Sequence, residues 1–505
     1  MIRLRNIYSF LAALCVASSG YTQLNTQLES IFEDHELMGL SVVKVCQQDI
    51  ETYHFGLKDY TRELAVDDST MYRIASISKT VSAMGLMKLY DQGLFELDDD
   101  VSPYLGFELR NPNWPDVAIT FRMILSHTSS IQDGSGYSDF LGASFSFDAT
   151  PPAIQDLLTD QGSFYTSNMF RQEEPGTFFA YSNINYGIVG TLVEAISDQR
   201  FDVYMKDNIL DPLGIAGSYN VTDIENIDNV AVLYRNQGGW TPQADNFQGN
   251  DPTPLLLDNY TIGTNGLLFG PQGGLRISPS DLARILLVMK DGEYNGIEVL
   301  LPSSIELMQT PQWTYDGDNG DNYYGLFRSW GLGVHCTTDT PGGDLIFEGD
   351  EFKGHPGEAY GLISDMYWFA DSGWDAAGFI FMTNGAFNGF DFGEQSAYYT
   401  LEEEVFQAVC SNNFQGCFLN TEDILIEDSF HVFPNPSYGS FYLSGNFKAG
   451  QKILATIHNS IGIEITKEVG HMNRIFEFSG LPAGIYTLSL SDSSGFFQSH
   501  LVVIL

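Results

Sequence analysis

The spacing of apolar positions changes period several times along the chain. From Gly39 to Gly56 a Val-rich stretch alternates with period two, which predicts a β-hairpin. A helical spacing follows from Ser76 to Gln92 and is closed by Gly93. Further helical patterns run Phe121–Ser126, Tyr186–Ile196, Phe201–Ile209 and Pro279–Lys290. Residues 219–330 are rich in Gly, Asn and Asp and read as loops. Strand patterns return at Gly331–Thr337, Tyr360–Phe369 and Ala377–Thr383, and a helix over Ala397–Val409 closes the region. With strands at both ends and helices between, the order predicts an α+β fold whose sheet pairs its first strands with its last. The sequence shows no internal repeat of solenoid period.

The pattern changes near residue 410. Residues 430–505 hold short alternating runs between turn residues: Gly439-Ser-Phe-Tyr-Leu, Ile453–His458, Ile461–Thr466, Ile475–Phe478 and Gly484–Leu490. This stretch predicts a small all-β unit, a sandwich.

Composition adds limits rather than detail. The 505 residues are 43% apolar, 13% aromatic and 17% charged, which supports a large core and excludes a disordered or collagen-like chain. The net charge of −42 opposes binding to nucleic acid or anionic lipid. At the N-terminus, Arg3 and Arg5 precede an apolar run, Ile7 to Ala17, and then the small residues Ser18, Ser19 and Gly20. Residues 1–23 therefore read as an export signal. Its apolar run is too short for a transmembrane helix, and no transmembrane segment is expected elsewhere. Leu14 before Cys15 argues against lipoprotein cleavage. Of the other four cysteines, Cys410 and Cys417 lie seven apart in a loop-like stretch and are expected to close a small disulfide loop, whereas Cys46 and Cys336 sit on strand-like segments as buried thiols. None has zinc-ligand spacing.

Three short motifs carry candidate chemistry. In Ser76-Ile77-Ser78-Lys79, i and i+3 share a helix face, so Ser76 Oγ and Lys79 Nζ can meet at the helix start. A desolvated lysine loses proton affinity and can act as a base toward a serine hydroxyl. A capping serine with a solvated lysine fits the same residues. Ser41-Val42-Val43-Lys44 repeats the spacing on a strand, where the two side chains face opposite ways. Tyr181-Ser182-Asn183 places a phenol and an amide before a helix; a tyrosine between two cations can shuttle protons, and an amide can bind substrate. His355-Pro356-Gly357 lies on the way into the strand Tyr360–Phe369, where a strand edge offers backbone N–H groups and glycine permits close approach. Tyr234-Arg235-Asn236 and His54-Phe55-Gly56 are decoys of the second and third motifs. His127 reads as structural. Asp316–Asp321 lacks the glycine and glutamate of a calcium loop and reads as a solvated loop.

Taken in order, these motifs resemble the serine beta-lactamase and penicillin-binding-protein superfamily, in its class C, D-alanyl-D-alanine carboxypeptidase-like branch. Flanking stretches are similar too: Tyr72–Thr80, Ile124–Ser130, Asp211-Pro212-Leu213-Gly214, Gly273–Arg284 and Gly354–Gly357. The resemblance covers about residues 25–410. It implies a beta-lactamase/transpeptidase-like fold, an antiparallel sheet flanked by helices with an all-helical lobe. It implies that Ser76 is the acylated nucleophile, with Lys79 and Tyr181 moving protons. Asn183, His355 and Gly357 would bind substrate, and the backbone N–H groups of Ser76 and Glu358 would form the oxyanion hole. No metal or cofactor is implied. His355 stands where beta-lactamases carry lysine. A neutral histidine there weakens the case for a dedicated beta-lactamase and leaves peptidase, esterase and amidase chemistry open.

The tail has its own resemblance. Val432-Phe433-Pro434-Asn435-Pro436, Gly439-Ser-Phe-Tyr-Leu and Gly480-Leu-Pro-Ala-Gly-Ile-Tyr486 resemble a type IX secretion C-terminal sorting domain. The expected organisation is a signal peptide at 1–23, a serine hydrolase domain at 24–412, a linker at 413–429 and a sorting domain at 430–505. The expected protein is an exported hydrolase at the cell surface or outside it, acting through an acyl-enzyme on a small-molecule or peptide substrate. Its expected macromolecular partner is the secretion machinery. The competing readings are a catalytically inactive binding or scaffold protein on the same fold and an adhesin that binds through its tail.

Overall fold

The computed structural model describes residues 23–47, 49–146, 150–370 and 377–411, and in the tail 430–433, 440–445, 452–459, 464–471, 475–477, 481–491 and 497–504. The chain divides into two units, Met1–Phe418 and Leu419–Leu505. The expected export signal, up to residue 22, and the expected linker over 413–429 lie outside the described residues. No helix among the described residues is long and apolar enough to cross a membrane.

The first unit is built on a nine-stranded sheet. Its strands are β1 (Gly39–Cys46), β2 (Asp49–Asp59), β3 (Leu64–Ala65), β4 (Trp313–Thr314), β5 (Ser329–Trp330), β6 (His335–Cys336), β7 (Phe352–Ala359), β8 (Leu362–Phe369) and β9 (Ala377–Thr383). Their order is β4-β5-β6-β7-β8-β9-β1-β2-β3, so β1 pairs antiparallel with β9, the last strand of the unit. Both faces of the sheet are covered. Leu40, Val42, Tyr367, Phe379 and Phe381 pack with a helix over 23–34, α1, and with α5 (Thr400–Cys410). Their neighbours Val43, Val45, Met366, Ile380 and Met382 point the other way, into the larger core. This burial on both faces explains why β1 and β9 read as nearly continuous apolar runs.

The larger core contains α2 (Ile77–Asp91), α3 (Asn183–Ser197) and α4 (Pro279–Asp291). Helix α2 is buried almost all round, and its small hydroxyls are satisfied rather than solvated. Thr80 Oγ1 donates to Gly333 O at 2.7 Å, and Ser82 Oγ donates to Pro271 O at 2.7 Å. A polar residue on this helix is therefore held in a dry environment, which matters for Lys79 below.

Several boundaries differ from expectation. His355-Pro356-Gly357 does not lead into the next strand; it lies within β7, and Tyr360 and Gly361, at φ 58° and 93°, turn the chain into β8. Gly and Pro lower strand propensity in sequence, but β6 pairs only with Lys353 and Gly354, so Pro356 sits where β7 has an open edge. Of the expected strand over Gly331–Thr337 only β6 is strand; the residues before it form the turn from β5 through Gly333, φ 74°. The cysteines are also arranged differently. Cys410 is a buried free thiol because the last turn of α5 points it into the core with α1, not into a loop. Cys46 is disulfide-bonded, and Cys336 is a buried free thiol as expected.

The second unit contains a three-stranded sheet, with Ser440–Gly445 between Phe430–Phe433 and Ile475–Glu477. A four-stranded sheet runs in the order Glu464–His471, Lys452–His458, Gly484–Ser491, Phe497–Ile504. All pairings are antiparallel.

Phe381 of β9 is fully buried in the core that this face of the sheet shares with α1 and α5. Phe381→Ala is expected to destabilise the first unit by about 3–5 kcal/mol, read as a lower denaturant midpoint at unchanged m-value. A loss below about 1 kcal/mol would contradict this packing.

Candidate active site

Ser76 sits at the start of α2, directly after Ala75, whose φ of 48° is unusual for a residue with a Cβ. Its side chain makes no capping bond to the helix. Instead its Oγ lies 3.0 Å from Lys79 Nζ, one turn along. Lys79 is fully buried, which removes the capping-serine reading. Its Nζ also lies 2.9 Å from Asn183 Oδ1 and 2.9 Å from Gln272 O. Burial lowers its pKa to about 7, with Asp133 opposing the shift. A neutral amine has two N–H donors and one lone pair. With the donors on Asn183 and Gln272, the lone pair is left for the Ser76 hydroxyl.

Tyr181 packs its ring 4.8 Å from Lys79 Nζ, and its phenol is within reach of Ser76, which acts on its acidity. The tyrosine between two cations expected from sequence does not occur. Burial raises the Tyr181 pKa well above its ordinary value. Burial likewise holds His355 neutral, with Lys79 as a second cause. Tyr181 is therefore a protonated phenol. Its ring lies 6.0 Å from the His355 ring and 4.5 Å from the His127 ring.

His355 is fully buried, and its Nδ1 donates to Pro356 O at 2.6 Å. It stands behind the wall of the cleft, whereas Pro356, Gly357 and Glu358 line it. Gly357 is required by packing: a Cβ there would lie 2.5 Å from Ser364 Oγ, 2.8 Å from Ile74 O and 3.3 Å from Ser76 N. The sheet alternation places the Glu358 amide. Phe352 O accepts from Thr337 N on the β6 side, so even-numbered residues of β7 turn their backbone groups that way. Beyond Gly354 that side is open, and Glu358 N–H faces the cleft.

Asp133 was not recognised in the sequence. It lies in a loop remote from α3, yet it caps that helix. Its Oδ2 accepts from Asn183 N at 3.0 Å and from Asn183 Nδ2 at 2.8 Å, and its Oδ1 accepts from Ile184 N at 2.9 Å and Ser182 Oγ at 3.1 Å. This fixes the Asn183 amide with its oxygen on Lys79. No local sequence signal marks such a cap, because donor and acceptor are 50 residues apart. His127, at φ 58°, supports the same turn by accepting Ser182 N–H at 3.1 Å.

The decoys stay apart. Ser41 is on β1 and bonds His54 and Tyr72; Tyr234–Asn236 belongs to a separate hairpin, with Tyr234 buried away from the site and only Arg235 reaching the cleft. Asp316 caps its own loop through Asp318 N and Asn319 N.

A cavity of about 670 Å³ opens in front of Ser76. It runs past the open edge of β7 and is walled by aromatic rings, among them Tyr137, Tyr181, Tyr323 and Phe327. Arg73, Arg235, Glu358 and Glu402 are its charged lining residues.

The family profile described as Beta-lactamase matches residues 25–402, and the one described as Secretion system C-terminal sorting domain matches residues 431–504. Penicillin-binding protein 4* of Bacillus subtilis (strain 168) is 28% identical over 193 residues, 38% of this chain and 40% of that protein. Protein flp of Staphylococcus aureus (strain MRSA252) is 24% identical over 219 residues, 43% of this chain and 41% of that protein. The chain thus spans about two fifths of the length of these relatives. The octameric penicillin-binding protein homologue from Pyrococcus abyssi superposes with a TM-score of 0.56 at 19% identity, over 96% of both chains. The D-amino acid amidase from Ochrobactrum anthropi SV3 gives 0.53 at 19%, over 76% of this chain and 97% of that one. These structures share the fold. The chain belongs to the beta-lactamase family.

Asp133→Ala removes a helix cap and the carboxylate that opposes the Lys79 shift. We expect a stability loss of about 1–2 kcal/mol by thermal unfolding, with the Lys79 titration moving to lower pH. An upward move would show that Asp133 does not act on Lys79.

Proposed function

We propose that this member of the beta-lactamase family is an exported serine hydrolase that cleaves an amide or ester through an acyl-enzyme on Ser76. The observation that carries the reading is the buried Lys79 amine, 3.0 Å from Ser76 Oγ and with a pKa near neutrality. Neutral Lys79 accepts the Ser76 proton as Oγ adds to the substrate carbonyl. The oxyanion that forms is held by the Ser76 and Glu358 N–H groups, one at a helix start and one on the open edge of β7. Tyr181, a phenol in contact with Ser76, hands its proton to the leaving group and regains one from Lys79. Water then attacks the acyl-enzyme by the same route in reverse and frees the serine.

Asn183 and Gly357 position the substrate, the first by its amide and the second by allowing the carbonyl to approach the strand. His355 acts on Tyr181 by packing rather than on the substrate by charge. Without the cation that attracts a carboxylate in beta-lactamases, this site favours peptidase, esterase or amidase chemistry over lactam turnover. The aromatic walls suit substrates with an apolar or ring-bearing acyl group. The sorting domain supports export to the cell surface or beyond, with residues 1–23 as the signal that starts it.

Intact mass after mixing with a penicillin or a 4-nitrophenyl ester tests the reading. The expected result is a Ser76-dependent acyl adduct, absent in Ser76→Ala. Acylation should be slow below pH 7 and rise through about pH 7, because the active form of Lys79 is the deprotonated one. An adduct that persists in Ser76→Ala, or a rate flat across that range, would contradict the mechanism.

A further inference from the structure

The catalytic reading leaves one part of the cavity unused. Around the open edge of β7 the cleft reaches residues on the α5 side of the sheet, where Glu402 and Tyr399 line it. Glu402 is 5% exposed, and its Oε2 accepts from Tyr399 N at 2.6 Å. Behind it lies Asp365 of β8, which is fully buried and, Glu402 apart, has no N–H or O–H donor on either carboxylate oxygen. The two carboxyl groups meet each other. Two carboxylates cannot both stay ionised in contact and out of water, so a proton is shared between them and one negative charge remains. Burial first, and then Glu402 beside it, raises Asp365 well above the usual carboxylate range; burial raises Glu402 to about 7, with the hydrogen bonds from Tyr399 N–H and Asp365 opposing it.

A third carboxylate, Glu358, is held nearby by Tyr399, whose hydroxyl donates to its Oε2 at 2.8 Å. Neither Glu358 nor Glu402 has an ion-pair partner among the described residues. Neither arginine of the cleft forms an ion pair with these carboxylates: Arg73 is stacked on Tyr360 and bonded to Gly273 O, and Arg235 packs at the β7–β8 turn, where its charge reaches the Tyr399 hydroxyl. The rings around the carboxylates are unusually open. Tyr324 is 90% exposed and Phe392 is 66% exposed, their centroids 6.5 Å apart, and Phe392 lies 5.7 Å from Tyr399. Exposed rings beside unpaired negative charge are the surroundings that an ammonium group needs, through ring faces and carboxylates together.

We propose that this lobe is a subsite for a cationic amine on the substrate, with Glu402 and Glu358 as its anions and Tyr324, Phe392 and Tyr399 as its walls. The inference deepens the hydrolase reading by naming a substrate class, amides or esters that carry a free ammonium group. It rests on that reading for its meaning, but the binding test does not depend on turnover.

The test uses the full chain with Ser76→Ala, titrated calorimetrically at pH 8 with 2-phenylethylammonium, the neutral 3-phenylpropan-1-ol and the anionic 3-phenylpropanoate. The expected order is ammonium tightest, by about tenfold over the alcohol, with the carboxylate weakest. Glu402→Gln should remove most of that preference. Tyr324→Ala, at an exposed position where folding is not at risk, should reduce it about threefold. Equal affinities for the three probes, tighter binding of the anion, or a preference unchanged in Tyr324→Ala would overturn the subsite. Ser76-dependent ester cleavage with no ammonium preference would remove the subsite and leave the hydrolase. An ammonium preference with no Ser76-dependent cleavage would do the reverse.

Discussion

The desolvation of one lysine is the constraint on which the site depends. Lys79 is enclosed because α2 runs through the middle of the larger core, with β7 and the 270s loop against its start. In water its amine would be charged and useless as a base near neutral pH. In this position it is held by two carbonyl-type acceptors and the nucleophile, and burial brings it to about 7. The same dryness raises Tyr181 and keeps His355 and His127 neutral. One physical cause thus sets four protonation states: an amine that can lose its proton, a phenol that keeps its own and two imidazoles without charge.

The sheet supplies the other half. Because β6 covers β7 only as far as Gly354, the strand leaves an open edge beside Ser76. Gly357 lets that edge come close to the start of α2, and Pro356 is tolerated because its missing N–H would have faced the open side. The edge both offers a backbone donor at Glu358 and lets the cavity continue to the α5 side of the sheet. The aromatic and acidic character of that continuation comes from segments far apart in the chain, 323–327 and 392–402.

Much of the fold was legible from periodicity. The hairpin of β1 and β2, helices α2 and α4, and strand β9 follow their sequence patterns closely, since each buries a regular face. Strand β7 was missed because Gly354, Pro356 and Gly357 disguise it, and those residues are there for the site rather than for the sheet. The motif residues Ser76, Lys79, Tyr181 and Asn183 do converge. Asp133, Gln272 and Glu402 could not be read, because their parts in the site arise only from long-range contacts. The cysteines misled for a related reason: seven-residue spacing suggests a loop, but Cys410 ends a helix whose apolar face turns it inward.

The account stands on Lys79 being close to half neutral at pH 7. Carbon-13 NMR of the lysine ε-carbons across pH 5–11, with Lys79→Met to assign the resonance, measures this directly. A midpoint at about 7 for Lys79 is the predicted result. A midpoint near the ordinary lysine value of about 10.4 would mean that the amine is charged at rest, and Lys79 could not then be the base that activates Ser76.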